Sequence, residues 1–463
     1  MYLKTFSIQH VKCFEALTLD FFQDDKPHNW NVILGENGTG KSTLLQAIAV
    51  TLAGPEAVKL LLPRPEGWVQ AGKEQGALKA TVLSGKQDGP SGIVFPASFP
   101  SAFDERENPR PYTVGYIVTG DQAITVNERY FDSPAIVEQN GEEFNYLSGA
   151  LYSDKQREGW LACGYGPFRR LSGGSEQGRE IVTSSSKAAR YATLFLEGAA
   201  LVSCQDWLME LDHSAKDGDE FSARRLKWVK QALENNLLPE PTEIKVSSRG
   251  VFFHSHGHSI PLAQLSDGYR SMLALAIDLV RWLTDAFPLR PEPLQQQGVV
   301  LIDEIDAHLH PSWQRQIGPW LQEKFPGLQF IVTTHSPFVA QAASEGGIVV
   351  LNWASDGKTV EAQTDVASVR GWRVHQILTS GLFGLPTTLP PASERKLERL
   401  GKLEGKSSLT DKEQDELREL RRELDALLPP PGETERERET YKRLERLVKK
   451  AEAALAKDDK DSK

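Results

Sequence analysis

The sequence predicts an α/β fold with a largely parallel sheet, and three of its features predict it. Short apolar runs at 31–34, 299–302 and 330–332 have the continuous character of strands that are covered on both faces. Helical patterns follow or separate these runs, beginning with apolar residues at helical spacing from Leu44 to Leu52. Strands that alternate with helices favour parallel pairing, because each return crossing needs a connection of helix length.

Composition narrows the class of protein. The chain has 463 residues, of which 40% are apolar and 25% charged, as in ordinary globular proteins. No apolar run approaches the roughly 20 residues that span a bilayer, and the first residues show no secretory pattern. The cysteines Cys13, Cys163 and Cys204 lie far apart, which argues against a disulfide framework and a zinc site. We therefore expect a cytoplasmic protein without a membrane partner.

The formal net charge of −10 bears on nucleic-acid binding. It argues against a protein that coats nucleic acid non-specifically, because such binding depends on neutralising phosphates. A local basic groove stays open, since net charge says nothing about where the charges lie.

The segment Gly35 to Ser42 matches the pattern G-x-x-x-x-G-K-[ST] between a strand and a helix. In such a loop, backbone N–H groups approach phosphates closely and the helix N-terminus adds its dipole. Lys41 is expected to reach the β- and γ-phosphates of ATP, and the Ser42 hydroxyl to bind Mg²⁺. The predicted nucleotide-binding residues are Gly35, Asn37, Gly38, Gly40, Lys41, Ser42 and Thr43.

Two later strands end in polar residues that suit the same chemistry. The apolar strand at 299–302 is followed by Asp303, a predicted metal ligand with Ser42, and by Glu304, the candidate base for the attacking water. His335 follows the next strand, where it is expected to hydrogen-bond a γ-phosphate. Glu304 and His335 are the predicted catalytic residues.

A further segment, Leu265-Ser266-Asp267-Gly268, opens a long apolar helix. A hydroxyl, backbone amides and a helix dipole together make an anion site. A plain helix N-cap explains Ser266 equally well when the segment is taken alone. Its position between the P-loop and the Asp-Glu strand favours the anion site.

These four elements, in this order, resemble the ABC-type ATPases, in particular RecF, SMC and Rad50 heads, OLD-family ATPases and the bacterial AAA_15/AAA_21 group. The resemblance covers about residues 1–386 and extends to four other segments. They are Ile8-x-x-Val11-Lys12-Cys13-Phe14, Gly164 to Arg169, Asp303 to Pro311, and Gly371 to Gly384.

The resemblance implies a role for each motif. Lys41 and Ser42 would be Walker A, Asp303 and Glu304 Walker B, Asp306 the D-loop, His335 the switch histidine, and Leu265, Ser266, Asp267 and Gly268 the signature. The signature departs from LSGGQ, because it reads LSDG with Tyr269 at the glutamine position. No Q-loop glutamine is assigned, and 163–170 is only a candidate segment.

The predicted architecture is an ABC-type ATPase head with a helical insert and a C-terminal helical hairpin. Its parts are an N-lobe with a loop-rich insertion (1–183), a mostly helical insert (184–262), a C-lobe (263–386) and a charged tail (387–463). The insert is expected to end in a β-hairpin that turns near Gly257, which we favour over a metal site at the alternating His254, His256 and His258. In the C-lobe, one helix is expected to start at Pro311 and to carry Trp313, Ile317, Trp320 and Leu321.

The tail has leucines at helical spacing from Leu417 to Leu427 behind a Thr410-x-x-Glu413 capping box. A second stripe from Leu444 to Ala451 follows a proline-rich break. A solvated helical hairpin and a self-association surface both fit this pattern.

The expected function is an ATP- and Mg²⁺-dependent switch that closes and opens a homodimer or a higher homo-oligomer. A transporter subunit and a P-loop kinase fit the motifs less well, and an ATP-gated binding scaffold with little turnover fits them equally. The resemblance implies either anti-phage defence with a separate, nuclease-type effector, or DNA repair and maintenance with DNA as a candidate partner.

Overall fold

The computed structural model describes residues 1–83, 111–119, 123–126, 159, 161–169, 180–182, 187–199, 201, 204–233, 243–255, 258–406, 408–427, 439 and 443–444. The loop-rich part of the predicted N-lobe and most of the second leucine stripe of the tail lie outside these residues. The chain divides into two compact units, Met1–Gly384 and Leu385–Lys463. Within the described part of the chain, no helix is long and apolar enough to cross a membrane.

The strands of the described residues are β1 (Tyr2–Val11), β2 (Phe14–Asp20), β3 (Phe22–Gln23), β4 (Lys26–Pro27), β5 (Trp30–Gly35), β6 (Gln75–Leu83), β7 (Pro111–Thr119), β8 (Ala123–Val126), β9 (Ala162–Tyr165), β10 (Glu243–Ser247), β11 (Gly250–Ser255), β12 (His258–Pro261), β13 (Gly298–Ile302), β14 (Leu328–Thr333), β15 (Ile348–Trp353) and β16 (Val360–Gln363).

The α-helices are α1 (Lys41–Ala53), α2 (Pro55–Leu61), α3 (Ala192–Phe195), α4 (Cys204–Lys216), α5 (Glu220–Leu233), α6 (Asp267–Ala286), α7 (Pro311–Gln314), α8 (Ile317–Lys324), α9 (Pro337–Ala340), α10 (Val374–Leu378), α11 (Pro391–Glu404) and α12 (Asp411–Leu427). Short 3₁₀ turns occupy Lys187–Tyr191, Leu262–Gln264 and Pro293–Gln295.

The central sheet has the strand order β16-β15-β5-β14-β13-β9. Every neighbouring pair is parallel except β15 and β16, which form an antiparallel hairpin at one edge. The predicted α/β fold with a largely parallel sheet is therefore confirmed. The three apolar runs of the sequence become β5, β13 and β14, which are neighbours in the sheet.

The central sheet separates two hydrophobic cores, because successive side chains of a strand point to opposite faces. On one face, Ile33, Leu301 and Ile331 pack with α1, α2 and the strands β1, β6 and β7. On the other face, Val32 and Phe330 pack with α6 and with the helices α4 and α5. Burial on both faces explains why these strands are apolar at every position rather than at every second one.

A five-stranded antiparallel sheet with the order β2-β1-β6-β7-β8 covers α1. Gln329, in the middle of buried β14, joins it to the central sheet. Its amide donates to Leu3 O at 3.0 Å and accepts from Leu3 N at 2.8 Å. A buried amide thus satisfies its hydrogen bonds on β1 instead of carrying an unpaired polar group into the core.

The segment before α6 forms a three-stranded meander in which β10 pairs with β11 and β11 with β12. Ser255 is opposite His258 in the β11–β12 pair, so the predicted hairpin is confirmed. His256 and Gly257 lie outside the described residues. The predicted helix that starts at Pro311 is wrong as a single element, since it is divided into α7 and α8. Pro319 has no N–H to donate to Arg315 O, so the proline begins a new helix within its first turn.

The unit Leu385–Lys463 contains a hairpin of α11 and α12. Ion pairs cross it between Lys396 and Glu423 at 2.8 Å and between Arg399 and Glu416 at 2.7 Å. The Thr410 N–H donates to Glu413 Oε2 at 3.0 Å, and the Glu413 N–H donates to Thr410 Oγ1 at 3.4 Å, so the predicted capping box is confirmed. Helix α12 begins directly after the predicted N-cap Thr410 and ends at Leu427, the last leucine of the predicted stripe. Its partner in the described hairpin is α11, which was not predicted, whereas the sequence analysis had paired this stripe with the later one.

The cores described above contain no residue beyond Phe383. Truncation after Pro386 is therefore expected to leave ATP binding at the affinity of the full chain. A titration of both proteins with a fluorescent ATP analogue measures this, and far-ultraviolet circular dichroism checks that the shorter chain is folded. A folded, truncated chain that no longer binds ATP would show that the tail contributes to the site.

Candidate nucleotide-binding site

The loop after β5 depends on glycine at both of its ends. Gly40 precedes α1 with φ of +84°, and a Cβ there would lie 2.7 Å from Cys13 Sγ and 2.9 Å from the Phe14 ring. A Cβ on Gly35 would lie 2.6 Å from Thr39 Oγ1 and 2.7 Å from Leu351 O. A side chain at either position would therefore move the loop. The glycines of the sequence pattern are required by packing inside this chain as well as by access to phosphate.

Lys41, the first residue of α1, is buried and lies over its own loop. Its ammonium donates to Gly35 O at 2.8 Å and to Glu36 O at 2.9 Å. Burial lowers the pKa of Lys41, whereas the nearby Asp303, Glu304 and Asp306 carboxylates raise it. The structure thus brings the predicted P-loop lysine next to the predicted metal ligand and base.

A threonine at the end of β14 holds the Asp303-Glu304 turn. The Thr333 hydroxyl donates to Asp303 Oδ1 at 2.6 Å and accepts from the Glu304 N–H at 2.7 Å. Asp303 is 4% exposed, and Glu304 has φ of +44°, in the left-handed region. That conformation costs a non-glycine residue about 1–2 kcal/mol. The two hydrogen bonds of this hydroxyl help to hold the strained turn, and one of them fixes the direction of the Asp303 carboxylate.

The next polar residues form a second cluster around Asp306. The Thr334 hydroxyl donates to Asp306 Oδ1, and the His335 N–H donates to the same oxygen at 3.4 Å. The Ser336 N–H in turn donates to Thr334 Oγ1 at 2.9 Å. The His335 side chain is exposed. The main chain around the predicted switch histidine is therefore hydrogen-bonded to Asp306, the predicted D-loop residue, of the same subunit.

The segment Leu265 to Gly268 lies against a different part of the chain. A Cβ on Gly268 would lie 2.6 Å from His308 O, so the start of α6 packs on the main chain beyond Asp306. Tyr269, at the position of the signature glutamine, accepts a hydrogen bond from Trp313 Nε1 at 3.1 Å. Leu265 is half-buried, and Ser266 and Asp267 are exposed.

Ser266 occupies the N-cap position of α6, but its side chain makes no capping hydrogen bond. The side chain of Asp267 pairs with Arg270 in the next turn. Ser266 thus stands at the N-cap position, as the alternative from the sequence allowed, but its side chain does not bond as a cap does. The Ser266 hydroxyl is available at the positive end of a 20-residue helix.

The remaining predicted residues lie at the outer edge of the P-loop. Asn37 and Gly38 are exposed, and Gly38 has φ of +85°. Thr43 is half-buried and accepts a hydrogen bond from the Lys12 ammonium at 3.5 Å. Of the predicted P-loop residues, Asn37, Gly38 and Ser42 are therefore exposed, whereas Lys41 is buried.

Three residues of the site were missed by the sequence analysis. Lys12 belongs to the opening motif, and its ammonium lies 5.1 Å from the centre of the Trp68 ring as well as beside Thr43. Thr333 stands in the polar cluster before His335. Arg169 is buried beneath the Asp303-Glu304 turn. The motifs contain all three, but periodicity and spacing say nothing about which side chain reaches which main-chain atom.

The donor set fits Mg²⁺. Ser42 offers an exposed hydroxyl, and Asp303 keeps Oδ2 outside its bond to Thr333. The described residues contain no group of three or more His, Cys, Asp or Glu that could hold a metal by themselves. Mg²⁺ ordinarily takes one or two protein oxygens together with substrate phosphates and water. Two hard oxygen donors beside a phosphate-binding loop match that preference.

Two family models match the chain. The model described as "AAA domain, putative AbiEii toxin, Type IV TA system" matches residues 210–340, and a second described as "AAA domain" matches residues 5–62. The first match contains the signature segment, Asp303, Glu304 and His335, and the second contains the P-loop. With the observed fold, these matches confirm the predicted resemblance to the AAA_21 group. The chain therefore has the fold and the sequence motifs of P-loop ATPases.

The chain also resembles named proteins and a solved structure. The Septu protein PtuA of Bacillus mycoides is 28% identical over 95% of this chain and 52% of its own length. The Retron Ec83 probable ATPase of Escherichia coli is 39% identical over 28% of this chain and 24% of its own length. The chain thus spans about half the length of the Septu protein. A solved SMC head bound to the C-winged helix domain of ScpA has 15% identity and a TM-score of 0.46, over 79% of this chain and 98% of that one.

The requirement for glycine at the start of α1 can be tested with a matched pair of variants. Gly40 and Gly72 share φ of +84°, but a Cβ on Gly72 would meet nothing within 4 Å. Alanine costs both positions about 1–2 kcal/mol of left-handed strain, and only Gly40→Ala adds a clash with Cys13 and Phe14. We expect Gly40→Ala to weaken ATP binding about tenfold or more, which corresponds to 1.4 kcal/mol, and Gly72→Ala to leave it unchanged. Isothermal titration of both variants measures the difference, and equal affinities would contradict the packing argument.

Proposed function

We propose that this chain hydrolyses ATP in the presence of Mg²⁺ and that the nucleotide closes two copies into a head-to-tail dimer. The observation that carries the proposal is that the P-loop after β5 and the Asp303-Glu304 turn after β13 lie at the same edge of the parallel central sheet, where the charges of Asp303, Glu304 and Asp306 act on Lys41 and raise its pKa. A buried lysine beside three carboxylates, next to a glycine loop and a helix N-terminus, suits a polyphosphate with a divalent cation.

Each side chain has a task in this proposal. Lys41 exchanges its bonds to Gly35 O and Glu36 O for phosphate oxygens when ATP enters. Ser42 and Asp303 hold Mg²⁺, which neutralises phosphate charge when bound. Glu304 orients the attacking water and accepts its proton, while the Thr333 hydroxyl holds the main chain of Glu304 in place.

Dimerisation follows from what one subunit contains. The chain holds one P-loop and one signature segment, and the start of α6 packs on its own residues near His308. The free hydroxyl of Ser266 and the helix N-terminus suit a phosphate that a second copy presents. Two such copies make two equivalent sites around a two-fold axis. ATP then favours the closed state because it contacts both copies only there.

We further propose that the ATPase works in bacterial anti-phage defence and acts on a separate, nuclease-type effector. The Septu and retron relatives support this setting. The separate effector and a cytoplasmic location of the chain are both part of this proposal. Phage challenge of cells that express the chain with its neighbouring genes tests it. Protection should disappear with Lys41→Ala, and protection that persists would contradict a role for ATP.

The first biochemical test concerns turnover. Lys41→Ala removes the ammonium that contacts phosphate, and we expect phosphate release from ATP to fall at least about 100-fold. Lys59→Ala is the control, because Lys59 lies on the surface of α2 and pairs only with Glu56 among the described residues. The measurement is Mg²⁺-dependent phosphate release. Wild-type turnover in the Lys41→Ala protein would show that the site is assigned wrongly.

The second test concerns assembly. Glu304→Gln keeps the shape of the side chain but removes the base, so ATP should accumulate the closed dimer. Ser266→Arg should block closure while leaving ATP binding at Lys41 intact. Light scattering of the Glu304→Gln protein with and without ATP-Mg²⁺ gives the mass. A mass that stays at the monomer value with ATP contradicts the dimer, and so does a dimer that Ser266→Arg still forms.

A further inference from the structure

We propose that Arg169 is a positioning residue that fixes the Asp303-Glu304 turn and links it to the start of the signature helix α6 in the same subunit. The proposal rests on the proposed ATPase function, since it assigns a role around the residues that would carry hydrolysis. Arg169 lies four residues after the end of β9, in the segment where no Q-loop glutamine could be assigned.

The guanidinium of Arg169 hydrogen-bonds to the main chain of the Asp303-Glu304 turn. Nη1 donates to Asp303 O at 3.0 Å, and Nη2 donates to Glu304 O at 3.2 Å and to Ile305 O at 3.3 Å. Three consecutive carbonyls at the end of β13 therefore point at one cation. Because the bonds go to the main chain, they constrain the direction in which both carboxylates leave it.

The remaining two N–H groups of Arg169 donate hydrogen bonds to neighbouring elements. Nε donates to Ser271 Oγ of α6 at 3.2 Å, and Nη1 also donates to Gly166 O at 3.1 Å. An arginine has five N–H donors, and all five are used here. None of the five bonds ends on a carboxylate. A lysine, with three donors, cannot make the same set.

Arg169 is a buried cation whose hydrogen bonds hold the turn. The residue is 5% exposed, and burial lowers its pKa to about 10, so it stays charged at neutral pH. Its charge lies near the Asp306, Asp303 and Glu304 carboxylates, which raise that pKa. Removing a buried cation that serves five acceptors takes a hydrogen bond from each of them, so the turn is expected to rearrange.

The segment that carries Arg169 is itself rigidly placed. A Cβ on Gly166 would lie 2.0 Å from Thr193 O, so the segment is pressed against the start of α3. The Tyr165 hydroxyl donates to Asp278 Oδ2 of α6 at 2.9 Å. Ser271 and Asp278 are seven residues apart and share a helix face. Helix α6 is therefore fastened to this segment at two levels, and Ser271 is the level nearest to the signature.

This arrangement has a consequence for the proposed dimer. The start of α6 would touch the nucleotide of the partner subunit, whereas Asp303 and Glu304 would act on the subunit's own nucleotide. Arg169 bonds to both elements, so a shift of α6 at one site changes the catalytic turn at the other. The bond to Ser271 is the direct connection between them.

The test compares Arg169→Ala, Arg169→Lys and Ser271→Ala with the full-length wild-type protein. We expect Arg169→Ala to lower kcat about 100-fold, as for a misplacement of order 1 Å, while KM and the Kd for ATP stay unchanged. Arg169→Lys should restore little, and added guanidinium ion should restore part of the rate of Arg169→Ala. Ser271→Ala should lower kcat less, by about tenfold, because it removes one bond of five.

A second readout does not depend on turnover. Hydrogen exchange of the 303–309 amides, without nucleotide, should become faster in Arg169→Ala and, to a smaller extent, in Ser271→Ala. Arg225→Ala is the matched control, since Arg225 bonds to Thr284 and Asp285 at the far end of the same helix. It should change neither the exchange at 303–309 nor kcat.

The outcomes are distinguishable. Unchanged exchange at 303–309 in both Arg169→Ala and Ser271→Ala overturns the proposal, and so does a raised KM at unchanged kcat. If Arg169→Ala fails to fold, Ser271→Ala decides alone, because an alanine at that helical position preserves the helix. A wild-type protein that binds ATP without hydrolysing it contradicts the proposed function, whereas the exchange experiment still reports on Arg169.

Discussion

The site exists because β13, β14 and β5 pair in parallel as neighbours. In the observed register, Ile302 is opposite Val332 and Thr333 is opposite Ile33. The carboxyl ends of all three strands therefore meet at one edge of the sheet, and that edge collects the P-loop, the Asp303-Glu304 turn and the polar residues after β14. A shift of one residue between β13 and β14 would move Thr333 away from Asp303 and Glu304, and a shift between β14 and β5 would move it relative to the P-loop. Strand register is thus the constraint on which the chemistry depends.

The sequence predicts the strands and their motifs because these signals are local. Continuous apolar runs mark β5, β13 and β14, and the P-loop pattern contains its own glycines. The broken helix at 311–324 shows the limit of the same reasoning. The apolar stripe of Trp313 and Ile317 predicted one helix, although Pro319 already announced a new start. The prediction followed the periodicity of the apolar stripe and did not take account of Pro319, although the proline was visible in the sequence.

The interactions between distant residues could not be predicted in the same way. Thr333, Arg169 and Gln329 act through hydrogen bonds to atoms far away along the chain. Composition and spacing describe which faces are buried, but a buried polar side chain is placed by partners that only the assembled fold supplies. The residues that orient the site are for this reason the ones that the sequence analysis missed.

The strand order also has a consequence for how the chain is made. Strand β5 lies between β14 and β15, both from the C-terminal half, and Leu3 bonds to Gln329 over a separation of 326 residues. At 5–20 residues per second, the ribosome needs about 16–65 s to supply that partner. Throughout this time β5 lacks both of its strand neighbours, whereas β1 already has β2 and β6. Such long-range pairing slows folding. The apolar residues of β5 therefore need other contacts to shield them from water until translation reaches β15.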